Sequence, residues 1–280
     1  MKITVTGAAG HLGKVVVRAL HAEGHEIVAT DVAYTRDLPV RLDLQDLRDE
    51  IGCYRLVEGS EVLVHLGNLP GFGAHSQGGF LHNVATDVNI FQAAQDCGVR
   101  KILFASSIQV ISGIRRGREE DLPFAPSSLP YLPLDGDTPP NPGMLYPASK
   151  IAGENLLLFY AKVHGLSTVA IRFPALIDPA SAQFHLPRIQ RDARLDEGFA
   201  YLALPDAATL VSAIIRAELP GFRIYLPASP GTTLPTMTLD EIVARFYPEV
   251  PVRAKGKLDR LVNTDAITRD TGWMPKLRLF

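Results

Sequence analysis

The chain has 280 residues, ample for a buried core and too long for a disulfide-stapled miniprotein. Hydrophobic residues make up 46% and charged residues 21%, and 28 Lys and Arg against 30 Asp and Glu leave a net charge of -2, so no global basic field exists to draw nucleic acid. Two cysteines, Cys53 and Cys97, exclude a disulfide framework and a Cys-only metal site and fit a reducing cytoplasm, and no apolar stretch reaches the length of a membrane span.

The opening MKITVTGAAG is a short β-branched run that stops at glycines, too short for the apolar region of a signal peptide. Residues 3–6 read as a strand and 12–23 as a helix closed by Gly24. Residues 27–30 are a second strand, followed by a polar turn and a helix around 45–58. A strand at 61–66, a helix at 83–96 ending at Gly98 and a strand at 101–105 continue the alternation. Strands alternating with helices predict a parallel sheet covered on both faces, with right-handed crossovers. The fold class is therefore α/β, a Rossmann-type doubly wound sheet.

Residues 113–142 interrupt this rhythm with seven prolines and the charged cluster RRGREED. A loop of that length predicts a lid or a disordered excursion. A helix at 146–164 and a strand at 167–172 follow. Beyond Pro174 the pattern weakens to helices at 206–218 and 238–246, with a strand at 223–226 between them. The second helix opens on a Thr238-x-x-Glu241 capping box. The expected division is residues 1–173 as the dinucleotide-binding part and 174–280 as a small substrate-binding region interleaved with it.

The sharpest local signal is TGAAGHLG at 6–13, after a strand and opening a helix. Gly7 permits the turn, Gly10 lets the backbone approach a pyrophosphate, and Gly13 lets the helix pack on the sheet. The first turn, with His11 and Leu12, offers free N–H groups to the phosphates. Asp31 ends the second strand, where a carboxylate binds ribose hydroxyls and repels a 2′-phosphate, favouring NAD over NADP. The alternative is a surface Asp starting a turn. Asp43 and Leu44 stand where an acid and an apolar residue flank the adenine, although a capping Asp before a helix is equally common.

Tyr146 and Lys150 lie four apart on one helix face. An ammonium near a phenol favours the phenolate and makes it a usable base. Tyr-x-x-x-Lys alone arises by chance in many helices. Here the strand at 101–105 also delivers Ser106 and Ser107 to the carboxyl edge of the sheet, where ligands of open α/β sheets bind. Ser107 is positioned to hydrogen-bond a reacting oxygen or, alternatively, to cap a turn.

In order along the chain, TGAAGHLG, Asp31, Asp43-Leu44, VHLG at 64–67, Asn83, FASS at 104–107, YPASKIAGE at 146–154, IRFPALIDP at 171–179 and GWMPK at 272–276 resemble the extended short-chain dehydrogenase/reductase group, the NAD-dependent sugar epimerase/dehydratase family. That resemblance implies an oxidoreductase or epimerase that uses NAD on a small carbohydrate-like substrate, without a metal. It implies Tyr146 as general base or acid, Lys150 holding the nicotinamide ribose, and Ser107 polarising the substrate oxygen. Leu66, Gly67, Asn83 and Phe173 would line the cofactor, and Ile108 and Ala175 the substrate. Ile108-Gln109, in place of the Asp-Glu pair of the dehydrating members, argue against elimination of water. Ala175, where many nucleotide-sugar epimerases carry Asn, argues against a nucleotide diphosphate. VHLG and FASS are similar to the uronate dehydrogenases of the family. A homodimer through the helices at 83–96 and 146–164 is also implied, unless both helices are covered within one subunit.

Arg188, Arg191 and Arg194 recur every three residues where this family builds its substrate pocket, and on a helix they would share a face suited to a carboxylate. A solvated basic face balanced by Asp192, Asp196 and Glu197 is the plainer explanation. From a different functional class, a catalytically silent NAD-sensing regulator is the alternative; such proteins commonly lose the Tyr or the Lys, and both are present.

Overall fold

A computed structural model describes residues 1–70, 75–113, 127–191, 195–254 and 257–280. In chain order the first elements are β1 (Lys2–Thr6), α1 (His11–Ala22), β2 (Glu26–Asp31), β3 (Leu42–Leu44), α2 (Glu50–Val57), β4 (Val62–His65), α3 (Gln77–Asp96), β5 (Lys101–Ser107), α4 (Leu145–His164) and β6 (Ser167–Phe173). They are followed by β7 (Ala175–Ile177), α5 (Ala182–Arg191), β8 (Tyr201–Ala203), α6 (Leu204–Arg216), β9 (Phe222–Tyr225), α7 (Leu239–Phe246) and α8 (Asp265–Thr271). Seven strands pair in parallel in the order β3-β2-β1-β4-β5-β6-β9. That is the expected doubly wound sheet, with its switch point between β1 and β4.

Alternation along the strands builds two cores. Val62, Val64, Leu103, Val169 and Ile171 face α1 and α6, packed with Val16, Leu20, Leu210 and Ile214. Leu63, Ile102, Phe104 and Ala170 face the other way, onto Phe91, Leu157 and Tyr160. Strands apolar on both sides are what a parallel sheet covered by helices requires. Most early elements fall where the sequence places them, but the short strand β3 stands where the sequence implies a polar turn, and α2 begins at Glu50 rather than near 45. α3 starts at Gln77, six residues before the expected start, because the Ser76 side chain accepts a hydrogen bond from the Gly79 N–H. Gly78 and Gly79 are poor helix formers and mask that start in the sequence. The short β7, β8, α5 and α8 carry no readable period.

The C-terminal residues complete the sheet rather than standing apart. β9 pairs with β6, and α6 packs on α1. The Asp206 carboxylate accepts the Lys276 and Leu277 N–H groups, tying the GWMPK segment to α6. The predicted Thr238–Glu241 capping box is present. The proline-rich stretch requires a correction. Residues 114–126 lie outside the described residues, but 127–142 are no free lid. Leu129, Leu132 and Leu134 are buried in a third core with Phe199, Ile242, Tyr247 and Leu261. The backbone is laced in on both sides, from Leu132 to Pro251 and Arg253 and from Leu134 to Leu261 and Asn263. Each proline removes a donor, yet the leucines between them bury as core residues do.

One buried ion pair joins these parts. Arg172, on β6, donates to both oxygens of Glu154, on α4, at 2.9 and 2.8 Å. Its remaining nitrogen donates to the Thr138 carbonyl at 2.6 Å, and Ser106 donates to Glu154 at 2.6 Å. Removing one partner strands the other charge without water. Glu154→Ala is expected to lower stability by about 3–5 kcal/mol in urea unfolding. A loss below about 1 kcal/mol, the range of exposed pairs, would contradict this assignment.

Candidate active site

At the end of β1 the chain turns through Gly7, whose φ of +67° is in the left-handed region. A Cβ on Gly13 would lie 2.1 Å from the Gly7 carbonyl oxygen, so α1 rests directly on the turn. Gly10 is the N-cap and provides no capping side chain, and the first turn of α1 contains no acid. The N–H groups of His11, Leu12 and Gly13 thus lack intrahelical partners at the positive end of the helix dipole. This backbone cradle, which a side chain at Gly13 would destroy, fits a pyrophosphate.

Asp31 is fixed beside this turn. Its two oxygens accept from Ala9 N–H and Ala33 N–H, each at 2.9 Å. β3 brings Leu44 opposite Asp31 in the register, with Leu44 exposed and Asp43 in an exposed pair with Arg41. The N–H groups of Leu66 and Gly67, just past β4, both donate to the Thr6 hydroxyl at 3.1 Å. The loop after β4 is thereby held against the glycine turn.

β5 and α4 supply the polar side chains. Ser107, the last residue of β5, caps the 3₁₀ turn Ile108–Ile111 by accepting from the Gln109 N–H, and it also hydrogen-bonds Tyr146. The turn-capping reading of Ser107 holds, and the same side chain stands beside Tyr146. Lys150 is almost fully buried; its ammonium donates to Asn68 Oδ1 at 2.6 Å and to the Ala105 carbonyl at 2.7 Å. It also stands 4.7 Å from the Phe104 ring centroid and 5.7 Å from that of Tyr146.

The electrostatics differ from the sequence expectation. Lys150 does not hold the Tyr146 phenol low. Burial pushes Tyr146 up to about 12, opposed by the Ser107 hydrogen bond and reinforced by the charges of Glu197 and Asp87. Burial lowers Lys150 to about 8, while Asp87 and Glu154 pull it back up. Tyr146 by itself is a proton donor at neutral pH.

The structure places the remaining expected residues as follows. Asn83 is buried and committed inside the protein, accepting from Leu69 N–H and donating to the Leu69 carbonyl and Ser149. It shapes the loop after β4. Phe173 ends β6 opposite Ser107, and Ala175 begins β7. Ile108 is buried in the third core. Arg188 and Arg191 lie on α5 three positions apart, with their side chains outside the described residues, as is Arg194. Sequence reasoning missed Asn68, Asp87 and His65, which join Lys150 in one buried chain of hydrogen bonds. The available signal was Asp87 itself, an acid on the face of α3 that also carries Ile90, Phe91 and Ala94 into the core. No group of three metal-ligating side chains occurs among the described residues, and no described helix is long and apolar enough to cross a membrane.

A family model described as the NAD dependent epimerase/dehydratase family matches residues 3–193. Uronate dehydrogenase of Pseudomonas syringae pv. tomato is 29% identical over 178 residues, covering 61% of this chain and 58% of that protein. L-arabinose 1-dehydrogenase (NAD(P)(+)) of Haloferax volcanii is 30% identical over 182 residues, covering 63% and 67%. The chain thus spans about six-tenths of the length of the uronate dehydrogenases it matches. A UDP-glucose 4-epimerase structure from Thermotoga maritima superposes with a TM-score of 0.73 at 18% identity, covering 100% of this chain and 95% of the other. The uronate dehydrogenase structure from Agrobacterium tumefaciens gives 0.69 at 23%, covering 98% and 84%. At these identities the superpositions show the fold.

The burial of Lys150 carries a pH signature. Between about pH 8 and about 10 the unfolded lysine keeps a proton that the folded one has released. The unfolded state then binds more protons, so stability rises with pH across this window. Urea unfolding is expected to show a gain for the wild type over this range that Lys150→Met lacks. Parallel pH curves for the two proteins would contradict a depressed Lys150.

Proposed function

Because the chain belongs to the NAD dependent epimerase/dehydratase family, we propose that it is an NAD-dependent dehydrogenase of a sugar or sugar acid, acting at a hydroxyl-bearing carbon. The observation that carries this reading is the convergence of Ser107, Tyr146 and Lys150 at the carboxyl end of β5. They are linked through Asn68 and the Thr6-bound loop to the uncapped start of α1. In this reading the glycine turn and α1 hold the pyrophosphate, Asp31 the adenosine ribose, and Asp43, Leu44, Leu66, Gly67 and Phe173 line the remainder.

Bound NAD would supply the hydride acceptor and a positive charge that eases ionisation of a nearby phenol. Ser107 orients the substrate hydroxyl toward Tyr146, and Tyr146 takes its proton during oxidation or returns it in the reverse direction. Lys150 holds the nicotinamide ribose and places a cation beside the tyrosine. The Gln109 Oε1 atom is buried with no partner among the described residues, an acceptor suited to a second substrate hydroxyl.

A carbohydrate without a nucleotide is favoured by the two curated dehydrogenase relatives, one named for uronates and one for L-arabinose, and by Ala175. An anionic sugar acid would be met by Arg188, Arg191 and Arg194. A homodimer is part of the proposal: Leu81 and Val88 on α3 and Phe159 and Val163 on α4 are 40–62% exposed. Most other apolar residues of α3 and α4, Ile90, Phe91 and Leu157 among them, are covered within the subunit.

The proposal is tested by following NADH with uronic acids, aldoses and nucleotide sugars. Turnover of a free sugar or sugar acid is expected, with NAD preferred to NADP. Tyr146→Phe is expected to cost about 10²–10⁴-fold in kcat with NAD binding retained. Interconversion of epimers without net NADH would replace the dehydrogenase with an epimerase, and tighter NADP binding would remove the Asp31 assignment. For the arginines, Arg→Ala changes are expected to raise KM for an anionic substrate more than for its neutral analogue. An unchanged ratio at all three positions makes them surface charge.

A further inference from the structure

A continuous set of hydrogen bonds runs inward from Lys150, and its polarity can be assigned atom by atom. The Thr6 hydroxyl accepts from the Leu66 and Gly67 N–H groups, which occupies both of its lone pairs. Its proton therefore goes to His65 Nδ1, 2.7 Å away. His65 accepts at Nδ1 and carries its own proton on Nε2, which donates to Asp87 Oδ1 at 2.9 Å. The imidazole is thus neutral and its tautomer fixed.

Asn68 has one possible orientation. Lys150 only donates and the Asp87 carboxylate only accepts. The amide must present Oδ1 to Lys150, at 2.6 Å, and Nδ2 to Asp87 Oδ1, at 2.8 Å. A second Nδ2 contact, to Thr86 Oγ1 at 3.1 Å, steadies it. Asp87 is fully buried, and its Oδ2 has no hydrogen-bond partner among the described residues. Two neutral donors on one oxygen do not balance a carboxylate removed from water. A cation must lie within its field, and Lys150, one amide away, is that cation.

We propose that Asn68 and Asp87 are positioning residues for Lys150: Asp87 sets the Asn68 amide so that its oxygen holds the ammonium, and the buried charge of Asp87 keeps that ammonium protonated. Every element around Lys150 enters this balance. From α3 comes Asp87; from β4, neutral His65; from α4 itself, Tyr146 and Glu154. Glu154 is already committed to Arg172 of β6. From β5 come only the Ala105 carbonyl and the Phe104 ring. Asp87 is thus the acid without a cation already paired to it, and Glu154 acts on Lys150 beside its own pairing with Arg172. Gly153 makes room for the arrangement, since a Cβ there would lie 2.8 Å from Asp87 Oδ2. The benefit to catalysis rests on the role given to Lys150 above, whereas its charge state does not.

Asp87→Asn isolates the charge, because an amide oxygen in place of Oδ1 still accepts from both His65 and Asn68. The measurement is an NMR titration of protein carrying ¹³Cε-lysine, with the Lys150 signal identified by its loss in Lys150→Arg. The wild-type midpoint is expected near 8, and Asp87→Asn should move it down by about one pH unit or more. An unchanged midpoint overturns the proposal even if the melting temperature falls, since a merely structural Asp87 would not shift the lysine. Should Asp87→Asn fail to fold, Asn68→Leu, which deletes the acceptor, must give the same downward shift, and an unmoved midpoint there is equally fatal. In parallel, Asp87→Asn should bind NAD nearly as wild type at pH 6 and more weakly at pH 8; equal binding at both overturns the role. Wild-type protein that binds no NAD would count against the functional reading, and the lysine titration would still decide the pairing.

Discussion

An ammonium ion cut off from water must find acceptors, and the demands of Lys150 explain much of the local architecture. Three neighbours meet them: a carbonyl at the end of β5, an amide in the loop after β4, and the face of Phe104. Each fixes a different segment. The strand carrying Ser107, the loop resting on the glycine turn and the helix carrying Tyr146 are joined at one buried point. The glycine turn and the segments that carry Ser107, Tyr146 and Lys150 belong to one hydrogen-bonded unit. In the proposed reaction, where efficiency is lost when parts drift by an ångström, this common anchoring would limit that drift.

The second consequence is electrostatic. Burial drives Tyr146 and Lys150 toward their neutral forms. The protein alone therefore keeps its phenol protonated and its lysine near the edge of deprotonation. Two buried acids counter that drift at Lys150: Asp87, engaged through Asn68, and Glu154, paired with Arg172. One added positive charge beside the tyrosine would favour its ionisation. A dinucleotide seated on α1 would bring such a charge.

What the sequence reveals follows the range of the forces involved. The glycine turn, Asp31 at the strand end and the Tyr146–Lys150 spacing are local patterns, and each lies where its pattern implies. The strands β4, β5 and β6 are legible for the same reason, since short apolar runs are written in consecutive residues, whereas which face each residue joins is set by the folded sheet. The pairing of Asn68 with Asp87 and Lys150 joins positions separated by 19 and 82 residues, and only the folded sheet brings them together. The lid reading of 113–142 weighed the prolines and overlooked Leu129, Leu132 and Leu134, whose partners Leu261, Ile242 and Tyr247 lie far along the chain. For Tyr146 the sequence displays the nearby cation and hides the desolvation that pushes the phenol up in the folded protein.

The central claim is that this site moves a hydride from a carbohydrate carbon to NAD while Tyr146 handles the proton. The most direct test uses L-arabinose and galacturonate deuterated at the carbon that is oxidised. The account predicts that deuterium from one of them appears in the reduced nicotinamide without exchange with solvent, that the rate falls with labelling, and that Tyr146→Phe abolishes the transfer. Reduced cofactor carrying only solvent hydrogen, or transfer that persists in Tyr146→Phe at the wild-type rate, would contradict it.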